Sequence, residues 1–66
     1  MPRAIRFLAA RLESGWQERH VLLEEAEREG ISFRTLERAK AELNVLSQQR
    51  REQGRNVWYW GLAAPT

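Results

Sequence analysis

The chain has 66 residues, no cysteine and a formal net charge of +2. A chain of this length forms one domain, and such a domain buries only about 60% of the surface that the unfolded chain exposes, so its core needs large side chains. The absence of cysteine excludes disulfides and thiolate metal sites, and it favours the cytoplasm, because small secreted domains usually depend on disulfides. No apolar run approaches the roughly 18 residues that a membrane-spanning helix needs, so we expect a soluble protein.

Charge is distributed unevenly along the chain. Residues 1–29 contain five Arg and six Glu, for a net charge of −1, whereas residues 30–66 contain six Lys or Arg and three Glu, for +3. Clustered cations are typical of a surface that meets nucleic acid, although a basic balance is also common in small soluble domains. We therefore expect a binding surface, if it is for nucleic acid, to lie in the C-terminal half.

Two helices are predicted in the N-terminal half, over residues 2–13 and 18–29. Both segments have apolar residues at helical spacing, and Pro2 suits the first turn because the N–H that proline lacks has no partner there. Ser14-Gly15 ends the first helix, and Trp16 begins a segment that is either an apolar lid or a very short strand. The second helix has an acidic outer side, which we do not expect to lie on phosphates.

The segment that begins at Gly30 is typical of a helix-turn-helix. Gly30 can adopt the left-handed conformation that ends a helix, and Ile31 can insert into the core. Ser32 can cap the next helix by accepting the backbone N–H of Arg34 or Thr35. A short polar turn around an apolar side chain holds two helices at a steep angle.

A third helix is predicted over residues 33–43. Leu36, Ala39 and Leu43 form a narrow apolar stripe, which leaves a wide polar outer face. Asn44 is a suitable left-handed residue after this helix, because asparagine tolerates positive φ better than most residues.

After this helix, apolar and polar residues alternate with a period of two, which predicts strands over residues 45–50 and 57–62. The residues between them, 51–56, have turn chemistry and form a loop that is too long for a two-residue turn. The predicted fold is α+β and mainly α: a three-helix helix-turn-helix with a C-terminal β-hairpin wing, which is a winged helix. It occupies residues 1–62, and residues 63–66 are expected to form a flexible tail.

The second strand carries three aromatic residues. Alternation puts Trp58, Trp60 and Leu62 on one face and Val57 and Tyr59 on the other. A small domain needs the face with two indoles for its core, so we expect Trp58 and Trp60 to be largely buried and Tyr59 to be the exposed ring.

The third helix has the features of a DNA recognition helix. A helix enters the major groove when its inner stripe packs on a core and its outer face reaches bases and phosphates. Arg34 lies in the first turn of residues 33–43, where base contacts concentrate, and Arg38 follows one turn later. The arginines of the wing, residues 50–56, are expected to lie on the DNA backbone. The candidate nucleic-acid-binding residues are Arg34, Thr35, Arg38, Lys40, Arg50, Arg51 and Arg55.

Three alternatives remain open at this stage. The two clusters are also consistent with solvated arginines that bind nothing, and Glu37, in the middle of the outer face, repels phosphates unless it accepts from a cytosine amino group. A protein-interaction module is the main rival, because the acid-rich second helix suits a protein partner. Exposed aromatic residues on the last strand would instead stack single-stranded bases.

We expect no catalytic residues, no metal and no cofactor. His20 is the only histidine and the chain contains no Asp, so a metal site would need glutamates from other helices. The three serines have no histidine nearby in sequence, and there is no glycine-rich phosphate loop or dinucleotide fingerprint. The sequence therefore predicts a binding protein and not an enzyme.

Several short motifs resemble one protein family. They are Gly30-Ile31-Ser32, Thr35-Leu36, Arg38-Ala39-Lys40, Glu42-Leu43, Val45 and Trp58-Tyr59-Trp60 with Leu62. Together they resemble the small winged-helix tails at the C-termini of phage- and plasmid-type RecA-like replicative ATPases and helicase-primases. The chain departs from that pattern at Asn44, where glycine is usual, and in its charged wing, where glycine-rich tips are common.

The resemblance implies a domain of, or related to, a replication or mobile-element protein. It implies that the partners are double-stranded DNA and a larger ATPase or replication protein. It brings no ATPase activity to this chain, because no motif of that chemistry is present.

Overall fold

A computed structural model describes residues 3–63, and within them the chain forms three helices and a three-stranded antiparallel sheet. The elements are α1 (Arg3–Leu12), β1 (Gln17–Glu18), α2 (Arg19–Arg28), α3 (Phe33–Glu42), β2 (Leu46–Glu52) and β3 (Arg55–Gly61). The strand order is β1-β3-β2, so β3 lies in the middle of the sheet. This α+β arrangement is consistent with a winged-helix-like layout. The predicted helical start at Pro2 and residues 64–66 of the predicted tail lie outside the described residues.

The core lies between the inner faces of the three helices and one end of β3. Trp60 is the largest fully buried side chain, and Leu8 and Leu36 are also completely shielded from solvent. Among the described residues, no polar or charged residue is buried, so the core is entirely apolar. The buried members are Ala4, Phe7, Leu8, Leu12, Leu22, Ala26, Ile31, Leu36, Ala39 and Trp60.

The turn between α2 and α3 confirms the prediction from sequence. Gly30 has a φ of +76°, and the N–H of Ile31 donates to the carbonyl of Ala26 at 2.8 Å, which closes the end of α2. Ile31 is buried. The Oγ of Ser32 accepts the backbone N–H of Thr35 at 3.2 Å, so the cap of α3 is formed by the expected residue.

The connection between α1 and α2 and the end of α3 also follow the sequence. Asn44 has a φ of +54° and ends α3 after Leu43. Of the two alternatives for the segment after Trp16, the short strand β1 is present. The Trp16 ring also covers the backbone of Gly61, where an added Cβ would lie 2.4 Å from Cδ2 of Trp16. Glycine at this position therefore lets the indole lie directly against the sheet.

The prediction of a long hairpin loop over residues 51–56 is wrong. The strands continue to Glu52 and from Arg55, and only Gln53 and Gly54 connect them. These two residues have φ values of +50° and +76°, and positive φ at both central residues is the signature of a type I′ turn, whose twist matches that of the strands. Both faces of this end of the hairpin are exposed, so polar and charged residues continue the ladder without burying charge.

Trp58 differs from the prediction as well. Trp58 and Trp60 share a face, as alternation requires, but Trp58 is 45% exposed whereas Trp60 is 1% exposed. Tyr59, predicted to be the exposed ring, is half-buried. The buried end of β3 is Trp60 and Gly61, and the strand becomes exposed towards the turn. Alternation fixes the face of a strand residue, but how far the helices extend along the strand decides whether that residue is covered.

We expect Gln53→Asn to stabilise the domain by about 0.5–1 kcal/mol, because asparagine adopts positive φ more readily than glutamine at this position of a type I′ turn. Urea denaturation followed by circular dichroism measures the effect. The control is Gln49→Asn, the same exchange at an exposed position in β2, which we expect to be neutral or slightly destabilising. Equal effects of the two substitutions would contradict the assigned turn.

Candidate nucleic-acid interface

The outer face of α3 carries Arg34 and Arg38. These residues are one helical turn apart, both are exposed, and they lie on the side of the helix opposite the buried Leu36. Because Ser32 caps the helix, Arg34 lies in an ordered first turn. The helix therefore presents two arginines on a surface that is fixed from behind by the core.

Thr35 lies on the flank of α3 that faces α1. Its Oγ1 accepts a hydrogen bond from the Oγ of Ser32 at 2.9 Å, so the Thr35 hydroxyl keeps its own proton for a further acceptor. A shallow apolar depression of about 460 Å³ lies along this flank, bordered by Thr35, Arg38 and Glu42 over Ala4, Ile5 and Ala39. Thr35 is therefore beside Arg38 at the edge of the outer face.

The opposite flank of α3 faces the hairpin. The Nζ of Lys40 lies 4.7 Å from the centroid of the Trp60 ring, and Glu37 is half-buried. Both residues border an open cleft between α3 and the hairpin. Glu37, which the sequence places in the middle of the outer face, thus lies on this flank and not between Arg34 and Arg38. Lys40 is likewise turned towards the cleft.

Of the hairpin arginines, Arg51 lies on the face of the sheet that is turned towards α3. Arg51 pairs with Asn56, two residues from Trp58 and four from Trp60, so all four side chains share one face. The contact of Lys40 with Trp60 shows that this face is turned towards α3. Arg51 is therefore on the same side of the molecule as α3.

Arg50 and Arg55 lie on the opposite face of the hairpin. Arg50 pairs with Val57 and Arg55 pairs with Glu52, positions that alternate with those of Arg51 and Trp58. The structure thus brings only one of the three hairpin arginines to the side of α3. The sequence groups all three on one wing because residues 51–56 are predicted as a loop, in which strand alternation does not apply; in the structure Arg51 and Arg55 lie in strands.

Aromatic rings hold Arg50 on this opposite face. Its Cζ lies 4.5 Å from the centroid of the Tyr59 ring and 6.0 Å from that of Trp16. The hydroxyl of Tyr59 donates to Oε2 of Glu52 at 2.7 Å. That hydrogen bond is the main cause that raises the pKa of Tyr59 above its ordinary value of 10.0, with further contributions from partial desolvation and the negative charges of Glu52 and Glu18.

Two cations of α1, Arg3 and Arg11, are paired with glutamates of the segment that includes α2. The Nε of Arg11 lies 3.2 Å from Oε1 of Glu25, and the Nη2 of Arg3 lies 3.5 Å from Oε1 of Glu29. These pairs are largely exposed and contribute little to stability. They balance the charges of the α1–α2 surface, so the excess positive charge lies on α3 and the hairpin.

Within residues 3–63, no group of three or more His, Cys, Asp or Glu side chains is placed to hold a metal ion. In the same part of the chain, the helices are all too short or too polar to cross a membrane. Comparisons of the chain with protein-family models, with curated proteins and with solved structures gave no match. Function is therefore inferred from the geometry and charge of the surface itself.

We expect Glu52→Gln to lower the pKa of Tyr59 towards 10.0, because the carboxylate that accepts the phenol proton is removed. The raised pKa means that this hydrogen bond stabilises the fold below about pH 10, and that its contribution is lost as the pH rises through the folded-state pKa. Tyr59 is the only tyrosine, so ultraviolet absorption of tyrosinate reports this group alone. Glu18→Gln is the control and should lower the pKa less; an unchanged pKa in Glu52→Gln would refute the assignment.

Proposed function

We propose that the domain binds double-stranded DNA as a winged helix, with α3 in the major groove and the hairpin beside it. The observation that carries this proposal is the pair Arg34 and Arg38, exposed one turn apart on a helix whose inner face is held by the core. The major groove is wide enough for a helix, and the N-terminal residues of such a helix reach the base edges. Arg51 extends the positive surface towards the hairpin.

The residues of this surface have different roles. Arg34 contacts base edges, Arg38 contacts a base or a phosphate, and Arg51 contacts the backbone beside the groove. Thr35 donates to a phosphate through the proton that its hydroxyl retains. Arg50 and Arg55, on the other face of the hairpin, add long-range attraction without direct contact.

The family resemblance supports the same function. The motifs around Gly30-Ile31-Ser32 and Arg38-Ala39-Lys40 lie in the turn and in α3, the elements on which the proposed interface depends. We assign the domain to a replication or mobile-element protein, in which it binds DNA alongside a larger ATPase or replication protein and performs no chemistry itself.

A second candidate function, docking to another protein, has one observation in its favour. Trp16 and Leu46 are 38% and 47% exposed, and both lie on the open face of the sheet around Gly61. An exposed apolar patch of this kind suits a protein partner. Self-association measured by mass in solution, together with no shift on any duplex, would favour docking over DNA binding.

We expect the double substitution Arg34→Ala and Arg38→Ala to weaken duplex binding by about tenfold or more, because both side chains contact the groove. Fluorescence anisotropy of a labelled duplex measures this, and circular dichroism checks that the variant is folded. The matched control is Arg6→Ala with Arg28→Ala, which removes the same charge from exposed positions on α1 and α2. Equal losses in the two variants would mean that the interface is wrongly assigned.

We expect the logarithm of the binding constant to fall with the logarithm of salt concentration with a slope of about −3. Arg34, Arg38 and Arg51 bring three positive charges against the DNA, and each releases about one counterion whether its side chain contacts a base edge or a phosphate. Anisotropy titrations of one duplex at several salt concentrations give this slope. A slope of about −4 to −5 would place Arg50 and Arg55 on phosphates as well. A slope near zero would rule out DNA binding of this kind.

A further inference from the structure

We propose that the cleft between α3 and the hairpin binds one unpaired nucleotide, so that a duplex with a single-stranded overhang is bound more tightly than a blunt duplex. This inference rests on the proposed DNA binding and adds a second element to it. The cleft has a volume of about 490 Å³, within the range of small-ligand sites. It is lined by Arg19, Glu37, Lys40, Ser47, Trp58 and Trp60.

Trp58 supplies the stacking surface of the cleft. Its side chain is 45% exposed, although it shares a face with the buried Trp60. Lys40 already covers the Trp60 ring. Trp58 is therefore the indole that remains open to a ligand in the described part of the cleft, and an exposed aromatic ring stacks any base.

Two cations are held at the rim of the cleft by aromatic rings. The Cζ of Arg19 lies 5.7 Å from the centroid of the Phe33 ring, and the Nζ of Lys40 lies 4.7 Å from that of Trp60. Cation–π contacts of this length restrict both side chains before a ligand arrives, so less entropy is lost on binding. They are positioned for the phosphate of a nucleotide whose base stacks on Trp58.

Glu37 makes the cleft selective for a nucleotide over simpler ligands. It is half-buried and lines the cleft together with the two cations, and there it repels a bare anion but accepts a hydrogen bond from the exocyclic amino group of adenine, cytosine or guanine. An apolar side chain of a protein partner would offer no hydrogen bond to the three charged residues that line the cleft, Arg19, Glu37 and Lys40, so burying it there would be unfavourable. A ring to stack on, two cations and one acceptor match a base together with its phosphate.

The position of the cleft explains why the nucleotide would be unpaired. The cleft lies between α3, which carries Arg34 and Arg38, and the hairpin face that carries Arg51. Its volume of about 490 Å³ suits a single nucleotide and not a duplex, and it borders the surface proposed to hold the duplex. A base can reach Trp58 only where it is released from pairing, as at an overhang.

Fluorescence anisotropy with a set of duplex probes tests the proposal. The probes are a blunt duplex, the same duplex with a one-nucleotide dC overhang at either its 5′ or its 3′ ends, and the same overhang with an abasic nucleotide or with dT in place of dC. We expect one dC probe to bind about tenfold more tightly than the blunt duplex, as stacking of one base predicts, and the abasic probe to bind like the blunt duplex. A dT overhang should bind more weakly than dC, and Glu37→Gln should reduce that difference.

The variants locate the effect in the cleft. In Trp58→Ala the ratio of overhang to blunt affinity should fall to about one, and Trp58→Phe should keep most of it, because a ring remains. Leu46→Ala is the matched control: Leu46 is 47% exposed, as Trp58 is 45% exposed, but lies on the other face of the hairpin. The ratio should be unchanged in that variant.

The outcomes separate this inference from the proposed function. Failure of every probe to bind would refute duplex binding itself. Equal binding of blunt and overhang probes would refute the cleft as a nucleotide site and leave duplex binding intact. An abasic overhang that binds as tightly as dC, or a preference that survives Trp58→Ala, would also overturn the inference, because the added affinity would then come from phosphate alone or from another surface.

Discussion

The burial of Trp60 between the sheet and the helices is the interaction on which the rest of the structure depends. β3 pairs with both other strands, and among the described strand residues only Trp60 and Gly61 are buried. Removing a buried indole costs about 3–5 kcal/mol, which is a large share of the stability of so small a domain. The position of the hairpin relative to α3 therefore follows mainly from one side chain.

The contact of α3 with Trp60 also decides which charged side chains of α3 face the hairpin and which face solvent. Lys40 covers the Trp60 ring, so the flank of α3 that carries Lys40 and Glu37 is turned to the hairpin. Arg34 and Arg38 are consequently turned to solvent on the outer face. A net charge of only +2 is thus compatible with a cationic surface, because Arg3 and Arg11 of α1 are paired with glutamates and the arginines of the outer face are presented together.

Features that depend on a few adjacent residues could be predicted from the sequence. Gly30 ends α2, Ser32 caps α3 and Asn44 ends it, because each of these conformations is set by local backbone sterics and local hydrogen bonds. The three helices also have nearly the predicted bounds, because their apolar stripes are strongly periodic. The length of the hairpin loop was not predictable in this way. Polar residues with turn propensity also pair as strands where both faces of the hairpin are exposed to solvent, as residues 51, 52, 55 and 56 do.

The sequence by itself determined the three helices, the short turn between α2 and α3, the two arginines on the outer side of α3 and the presence of a hairpin after it. Only the tertiary structure decided that Arg51 lies on the side of α3 while Arg50 lies on the other face, and that Trp58 remains open to solvent. The physical reason is that a strand's register fixes the face of every side chain, and the extent of the helices along the strand fixes its burial. Both depend on contacts between residues far apart in the chain.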